Sequence, residues 1–439
     1  MFLFALVFYI PSYSNYFVGD DYQFLGRTTF RNSFEYFTKS WGYGNEYRPI
    51  LPFSYALDAC FSGDRPIGYH LTNTAFHAAN AIVIGLLGIK IGLRRQISTL
   101  AAIIYVVDPV VHESVLWISG RPVVLGTFFV LCSCLFFLKA SRSEGSSKLY
   151  YLVAYIFFVC ALGTYESGVV TPLLVAGLSF RTTPVDRRIK DHLLMFAAIS
   201  VAYIVGWNLF FGFQITRFPV ERSLWGAIVN LITGIAHGFH GSLTVIGGLL
   251  YGWLLIRFCR SLEGRKLVIT GFIWVCVAYA PFLIVRGYAD RFAYLSSVAV
   301  AVVLAAAVIN LGRSKHSAIV CSIFVILYLG AGMQHRIKTW KEAGVIAHTI
   351  VRDIKQTAPE LPPDRLLVLL NVPSMHKEAS VYLTGLHRAL DREYGHEIRF
   401  GTEHTPGDQS TIVFDPGSRW MPTRFGTPAD EVTTRLSNS

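Results

Sequence analysis

Charged residues are scarce in this 439-residue chain, in which Asp, Glu, Lys and Arg together make up 15%. Soluble domains carry roughly 25% charged residues, so the composition excludes a soluble enzyme held by a single anchor. Hydrophobic residues account for 53% of the chain, and its mean hydropathy is +0.45. These values predict a polytopic membrane protein.

Cysteine is also scarce, with seven residues. Six of them lie within apolar runs or at their ends, and only Cys60 lies in a loop. This distribution excludes a disulfide framework and a thiolate metal site. A nucleic-acid-binding motif is lacking too. The formal net charge of +11 therefore does not indicate a nucleic-acid partner, because many Lys and Arg residues lie in loops between apolar runs.

Apolar runs recur along the chain, and we interpret eleven of them as membrane spans of about 20 residues, some of them shorter. The runs are 1–16, 66–89, 97–111, 120–138, 149–164, 167–180, 192–213, 241–258, 267–285, 293–311 and 317–333. The stretch 149–180 can be one kinked helix or two helices around Tyr165 and Glu166. The charge pattern favours two.

Basic residues gather in five loops that alternate with loops poor in Lys and Arg, which predicts that these five are cytoplasmic. The five loops lie at 90–95, 139–148, 181–190, 257–266 and 313–315. The loops that carry Asp20, Glu113, Glu166 and Arg291 are then extracytoplasmic, together with the tail from Gln334.

The composition turns polar near residue 334, which divides the chain into a membrane domain at 1–333 and a tail. Aromatic residues among polar ones predict interfacial helices at 32–41 and 50–61 in the first outer loop, 17–65, and at 223–240. Within the tail, 366–370 and 411–414 have strand patterns, and 378–394 has helical spacing. We expect a small extracytoplasmic α/β domain at 334–426 and a disordered end at 427–439.

Two adjacent carboxylates, Asp20 and Asp21, follow the first apolar run. Acidic residues at a membrane boundary are costly to hold near hydrocarbon. A solvated turn or a helix cap would explain the pair. Alternatively, the pair can bind a divalent cation such as Mg²⁺ or Mn²⁺, or one member can take a proton from an attacking hydroxyl. His237 and His240 can likewise bind metal or form interfacial hydrogen bonds.

Further polar residues lie at the predicted outer ends of the spans. Arginine holds phosphate through bidentate charge-assisted hydrogen bonds, and acids, histidines and tyrosines orient hydroxyls. Taken one at a time, these residues can be snorkelling arginines, local ion pairs or packed histidines. Together they favour a site for a phosphorylated lipid headgroup. The candidates are Arg48, Arg121, Arg291, His70, His112, Glu113, Glu166 and Tyr294.

Six motifs lie in order between residues 17 and 310: GDD at 19–21, YRPI at 47–50, GYHLTNTAFHAANA at 68–81, VHESVLWISGR at 111–121, TYES at 164–167 and DRFAYLSS at 290–297. This order resembles the GT-C superfamily of integral-membrane glycosyltransferases. The resemblance is closest to the membrane part of the O-mannosyltransferase group whose eukaryotic members carry tetratricopeptide repeats. The present chain lacks the repeats and, like bacterial relatives, has a compact tail.

The resemblance implies a GT-C-like fold and sugar transfer from a polyprenyl-phosphate or dolichyl-phosphate donor outside the cytoplasm. It places catalysis on Asp20 and Asp21, and it implies a bacterial inner or plasma membrane. We therefore predict an inverting hexosyl or pentosyl transferase, such as a mannosyltransferase, acting on a hydroxyl of a protein, lipid or glycan. Asp20 or Asp21 would be the general base, with a metal optional.

In that mechanism the three candidate arginines would neutralise the leaving phosphate, with Arg291 foremost. The histidines, glutamates and Tyr294 would orient the sugar or the acceptor, and an apolar flank between spans would hold the polyprenyl chain. The alternatives are a transporter or flippase of a lipid-linked saccharide, a glycan polymerase or ligase that uses a diphosphate-linked donor, and an outer-face scaffold.

Overall fold

The computed structural model describes residues 1–24, 28–41, 46–143, 147–182, 186–212, 225–226, 228–229, 245–283, 289–312, 314–361, 366–369, 372–382, 385–400 and 411–414. Within these residues the fold is mainly helical. The helices are α1 Phe2–Phe8, α2 Asp21–Phe24, α3 Phe30–Ser33, α4 Leu51–Ser62, α5 Pro66–Lys90, α6 Arg95–Val107, α7 His112–Leu116, α8 Arg121–Ala140, α9 Ser147–Leu162, α10 Thr171–Thr182, α11 Arg187–Phe211, α12 Val245–Phe258, α13 Leu262–Tyr279, α14 Ser297–Leu311, α15 Lys315–Thr357 and α16 Leu386–Tyr394.

Five described helical segments are long and apolar enough to cross a membrane: α5, Ile118–Ala140, α11, Leu262–Phe282 and α15. A sixth span results if Arg95–Val107 and Pro109–Leu116, which are bent by 49°, are taken together. The chain is thus an integral membrane protein, and its described residues include five or six helical segments long and apolar enough to be spans. The predicted count of eleven stays a prediction.

The stretch 149–180 forms two helices, α9 and α10, separated by a 3-10 turn at Glu166–Val170, as the charge pattern predicts. The predicted interfacial helices of the first outer loop correspond to α3 with the adjoining turn Phe34–Phe37, and to α4. Phe34 and Phe61 are largely exposed there, as expected for side chains at a lipid surface. Residues 427–439, His237, His240 and most of the predicted helix 223–240 lie outside the described residues.

Helix α15 connects the membrane part to the tail. Ser314 begins it with a capping box to Ser317, and its 43 residues make it about 65 Å long, roughly twice the thickness of a bilayer core. Its first half exposes apolar side chains such as Phe324 and Leu327, whereas its second half carries Arg336 and Glu342. The helix therefore extends well beyond the hydrocarbon, and the tail packs on the extension.

In the tail, three parallel strands pair in the order β4, β1, β5, with β1 at Leu366–Leu369, β4 at Arg399–Phe400 and β5 at Thr411–Phe414. The strand predicted at 411–414 is thus present, and the one predicted at 366–370 is present over its described residues, 366–369. A predicted helix beginning at Glu378 is wrong, because Met375–His376 (β2) and Ala379–Ser380 (β3) form an antiparallel hairpin. Helix α16 begins only at Leu386, so the predicted helical stretch 378–394 is helical over 386–394. The domain boundaries stay predictions.

The tail docks directly on the turn that precedes the acidic pair. The backbone nitrogen of Gly19 donates to the carbonyl oxygen of Val381 at 2.8 Å. Gly385, at φ +84, approaches so closely that a Cβ atom there would lie 2.2 Å from the carbonyl oxygen of Gly19. Glycine is therefore required twice over at position 385, by its backbone conformation and by the space available.

We expect Gly385→Ala to weaken the packing of the tail on the Gly19 turn and to lower the melting temperature, because the new methyl group would clash with the backbone of Gly19. Gly395→Ala is the matched control, since Gly395 ends the same helix at φ +76 with no atom near its Cβ position. Gly395→Ala should lower the free energy of unfolding by only about 1–2 kcal/mol, the usual penalty for a side chain in the left-handed backbone conformation. Thermal unfolding and limited proteolysis of the full chain in nanodiscs measure both. Equal melting temperatures for the two variants would contradict the close contact.

Candidate active site

A cavity lies where the ends of several membrane helices meet the tail. Its wall combines carboxylates, an arginine and flat aromatic groups drawn from distant parts of the chain. The lining residues are Asp20, Glu113, Trp117, Arg291, Trp340, Met375, Glu378 and Ser380. Three of the predicted site residues, Asp20, Glu113 and Arg291, are thereby brought together.

The two carboxylates that are adjacent in the sequence, Asp20 and Asp21, lie in different environments. Asp20 lines the cavity, and its carboxylate accepts a hydrogen bond from the side chain of Gln23. Asp21 is 1% exposed and accepts from the backbone nitrogen of Val18 at 3.0 Å and from the backbone nitrogen and hydroxyl of Ser119 at 2.9 and 2.7 Å. Burial raises the pKa of Asp21 to about 7. Asp21 thus ties the 18–21 turn to the segment before α8, whereas Asp20 faces the cavity.

Arg291 and Glu113 form the charged pair on the cavity wall. The Arg291 guanidinium pairs with one oxygen of Glu113, and the Arg291 backbone nitrogen donates to the other at 2.9 Å. The guanidinium also lies over Trp117, 5.5 Å from its centroid. Burial lowers the pKa of Arg291, but the Glu113 carboxylate outweighs it, and the pKa lies above its ordinary value. Arg291 therefore stays cationic while about one third of its side chain is exposed.

His112 lies behind the cavity wall. Its Nδ1 accepts from the indole nitrogen of Trp340 at 2.8 Å, and its Nε2 lies 2.6 Å from a carboxylate oxygen of Asp290. Because an indole N–H can only donate, Nδ1 of His112 is the acceptor. Nε2 therefore carries the ring proton and donates a hydrogen bond to the Asp290 carboxylate. The His112–Asp290 and Glu113–Arg291 pairs run side by side. Together they hold α7 against the 3-10 turn Asp290–Ala293, and His112 orients Trp340 toward the cavity.

Arg48 and Glu166 also meet, although they do not line the cavity. Their side chains form two hydrogen bonds of 2.8 and 2.9 Å, with the guanidinium over the ring of Tyr165. Burial lowers the pKa of Arg48, but the Glu166 carboxylate raises it by more, so the pKa lies above its ordinary value and Arg48 stays cationic. Tyr165 lies within electrostatic range of this pair and of Arg291 with Glu113. Arg48 is therefore held by a carboxylate and an aromatic ring outside the cavity lining.

Arg121, His70 and Tyr294 are buried in separate polar networks away from the cavity. The Arg121 side chain is fully buried, 2.5 Å from a carboxylate oxygen of Asp58, and donates to Asn73 at 2.8 Å. His70 contacts the carbonyl oxygen of Asn15 at 3.2 Å. Tyr294 lies 2.8 Å from Nδ1 of His77. The structure brings none of the three into the cavity.

Four lining residues escaped the sequence analysis: Trp340, Met375, Glu378 and Ser380. All four belong to α15 or to the tail, which the polar composition marked as a separate domain. Glu378 is held by Arg336 of α15 at 2.6 Å. Met375, Glu378 and Ser380 lie in a segment between Pro373 and Gly385, which is a sequence signal for a hairpin. The segment docks on Gly19, more than 350 residues upstream, and no local pattern indicates that contact.

A shared metal ion at Asp20 and Asp21 stays a prediction. Within the described ranges, no group of three or more His, Cys, Asp or Glu side chains is arranged to hold a metal ion. Both carboxylate oxygens of Asp21 already accept hydrogen bonds, so a shared Mg²⁺ or Mn²⁺ would have to displace Val18 or Ser119 from them.

Comparison with known proteins places the chain beside two sets of glycosyltransferases, although no family model matches it. It is 30% identical to Protein O-mannosyl-transferase TMTC3 of Mus musculus over 113 residues, which are 26% of this chain and 12% of that protein. It is 31% identical to human TMTC3 over 120 residues, or 27% of this chain and 13% of that one. The chain thus matches only a small part of the length of these relatives.

A solved structure, ArnT from Cupriavidus metallidurans bound to undecaprenyl phosphate, aligns with 95% of this chain and 89% of its own. The TM-score is 0.56 and the sequence identity 13%. The apo form of ArnT aligns with a TM-score of 0.53 at 12% identity. The chain therefore shares the ArnT fold, and the resemblance to GT-C glycosyltransferases inferred from its motifs is confirmed.

We expect Arg121→Met to destabilise the protein by about 3–5 kcal/mol, because it leaves Asp58 buried without its partner. The double variant Arg121→Met with Asp58→Asn removes both charges and should recover most of the loss. Thermal unfolding of the purified full chain provides the measurement. A single variant as stable as the wild type would contradict a structural role for Arg121.

Proposed function

We propose that this chain is an inverting glycosyltransferase that moves a sugar from a polyprenyl-phosphate donor to an acceptor hydroxyl on the extracytoplasmic face. One observation carries the proposal: a carboxylate, Asp20, and an exposed cation, Arg291, share the wall of one cavity at the ends of membrane helices. The ArnT fold and the similarity to the TMTC proteins support the same reaction class.

Arg291 is the group that would receive the phosphate. A guanidinium has five N–H donors, and Glu113 occupies only part of them, so the exposed remainder can bind two oxygens of a phosphate. The permanent positive charge would stabilise the negative charge that develops on the lipid phosphate as the sugar leaves. Arg48, which pairs with Glu166 and lies over Tyr165, is a second cation toward which a lipid headgroup can be drawn.

Asp20 is the general base in this proposal. Its carboxylate lies on the same wall as Arg291, near enough to raise the pKa of that arginine, and can accept the proton of an attacking hydroxyl. A direct attack on the anomeric carbon, opposite the departing phosphate, inverts that carbon. Asp21 has the supporting role of fixing the turn that presents Asp20, since its oxygens are engaged by Val18 and Ser119.

The lipid part of the donor would lie along the apolar surfaces of the spans that end at the cavity. The solved ArnT structure with undecaprenyl phosphate supports a lipid of this kind. Among the described lining residues, Arg291 is the one cation, which favours a monophosphate donor over a diphosphate-linked one. The cavity residues of the membrane part lie near helix ends, and the others belong to the tail and to the outer part of α15, which favours transfer over transport of a lipid-linked saccharide.

We expect Asp20→Asn to lower turnover by at least about 100-fold, the usual contribution of a general base. Asp21→Asn should instead destabilise the fold by about 1–3 kcal/mol and leave turnover per folded molecule much less changed. The assay follows release of sugar from a panel of radiolabelled undecaprenyl-phosphate hexoses and pentoses by the chain in nanodiscs, with membranes as the acceptor source. Near-normal turnover of the Asp20 variant would remove it from the mechanism.

Arg291→Lys keeps the positive charge but loses the planar fork, so we expect the KM for the lipid-phosphate donor to rise about tenfold or more, equivalent to about 1.4 kcal/mol. Arg352→Lys is the matched control, because Arg352 lies on α15 in an exposed pair with Asp353. Steady-state kinetics against donor concentration distinguish the two. Identical KM values for both variants would place the phosphate elsewhere.

A further inference from the structure

The tail supplies one whole side of the cavity. Met375, Glu378 and Ser380 all belong to the β2–β3 hairpin, and Trp340 next to them belongs to the outer part of α15. Glu113, Trp117 and Arg291, which lie at the ends of membrane helices, form another part of the lining and meet the tail residues where Trp117 packs near Trp340, with ring centroids 6.3 Å apart. We call these the tail wall and the membrane wall.

We propose that Glu378 is an acceptor-binding residue, whose carboxylate accepts a hydrogen bond from a hydroxyl-bearing acceptor and holds it against Asp20. This inference rests on the proposed glycosyl transfer. A polyprenyl-linked donor must enter from the lipid and therefore approaches the membrane wall, where Arg291 lies. An acceptor arriving from the aqueous side meets the tail wall first, and Glu378 is the charged group on it.

The Glu378 side chain is set up to accept hydrogen bonds. It is about one quarter exposed, and Arg336 holds it at 2.6 Å from the α15 side. Burial raises the pKa of Glu378, but its hydrogen bond and ion pair with Arg336 outweigh burial and leave the pKa below its usual value. The group is therefore an ionised carboxylate at neutral pH. A carboxylate repels a donor phosphate and accepts from hydroxyls, which assigns it to the acceptor and not to the leaving group.

The backbone couples Glu378 to the catalytic turn. The carbonyl oxygen of Val381, three residues after Glu378, accepts from the nitrogen of Gly19, which directly precedes Asp20. Gly385 packs on the carbonyl of the same Gly19. The hairpin and the acidic turn are thus one unit, so an acceptor hydroxyl bound by Glu378 lies at a fixed place relative to Asp20. Trp117, Trp340 and Met375 add flat apolar surface to the same space.

The chain contains a matched control for Glu378. Glu342 is also a carboxylate at the junction of α15 and the same hairpin, paired with His376 at 3.0 Å and with Lys377 at 3.1 Å. It does not line the cavity. Glu342→Gln therefore removes an ion pair of the same kind from the same junction, without changing the cavity wall.

The experiment compares Glu378→Gln, Glu378→Asp and Glu342→Gln in the full chain in nanodiscs. The probe is whichever labelled undecaprenyl-phosphate sugar the wild type consumes, supplied with membranes of the source organism that lack their own copy of the protein. Label in free sugar reports transfer to water, and label in all other products reports transfer to acceptors. We expect Glu378→Gln to lower the ratio of acceptor transfer to hydrolysis by tenfold or more.

Glu378→Asp should recover part of the ratio, because it restores the carboxylate, and Glu342→Gln should leave the ratio within twofold of the wild type. A Glu378→Gln variant whose ratio matches that of Glu342→Gln would overturn the role of Glu378 and leave the proposed transferase intact. A wild type that consumes none of the labelled donors would overturn the proposed function itself, and this inference with it.

Discussion

The ion pair between Arg291 and Glu113 is the interaction on which the arrangement of the site depends. A guanidinium at the edge of the hydrocarbon needs a partner, and Glu113 supplies both a side-chain contact and a bond to the Arg291 backbone. His112 and Asp290, which directly precede Glu113 and Arg291 in the sequence, also contact each other and connect the same two segments. Two loops that lie far apart in the sequence are therefore locked together, and a cation is held in place with part of its surface free for an anion.

Burial, and not residue type, distinguishes the three arginines that the sequence offered as phosphate ligands. Arg121 is fully buried and fixed by Asp58 and Asn73, which makes it a structural group. Arg48 donates from Nε and Nη2 to the two carboxylate oxygens of Glu166 and does not line the cavity. Arg291 keeps about a third of its side chain exposed and lines the cavity. All three lie at helix ends in the sequence, so pattern alone cannot rank them; the ranking depends on which partners the tertiary fold provides.

The sequence predicts those features that depend on residues close to one another along the chain. Hydropathy located the long helices, the charge pattern favoured the break between α9 and α10, and aromatic residues among polar ones indicated helices near α3 and α4, since each signal depends on neighbouring residues. Charge alternation brought Asp20, Glu113 and Arg291 to one side of the membrane, and the structure places them in one cavity. The tail wall could not be predicted. Its position depends on the docking of Val381 and Gly385 onto Gly19, a contact between opposite ends of the chain that leaves no periodic signal.

The adjacent carboxylates show how a single turn can give two like residues different chemistry. Gly19 has φ +48, and the turn that it begins directs Asp21 into the protein and leaves Asp20 on the cavity wall. Burial gives Asp21 a raised pKa and engages its oxygens, so it is poorly suited to exchange protons with a substrate. The backbone bond from Gly19 to the tail fixes the same turn from the other side. Asp20 is thus held between an internal anchor in the membrane part and an external one in the tail. A change in either anchor should therefore reach the catalytic carboxylate through backbone geometry, without any direct contact with it.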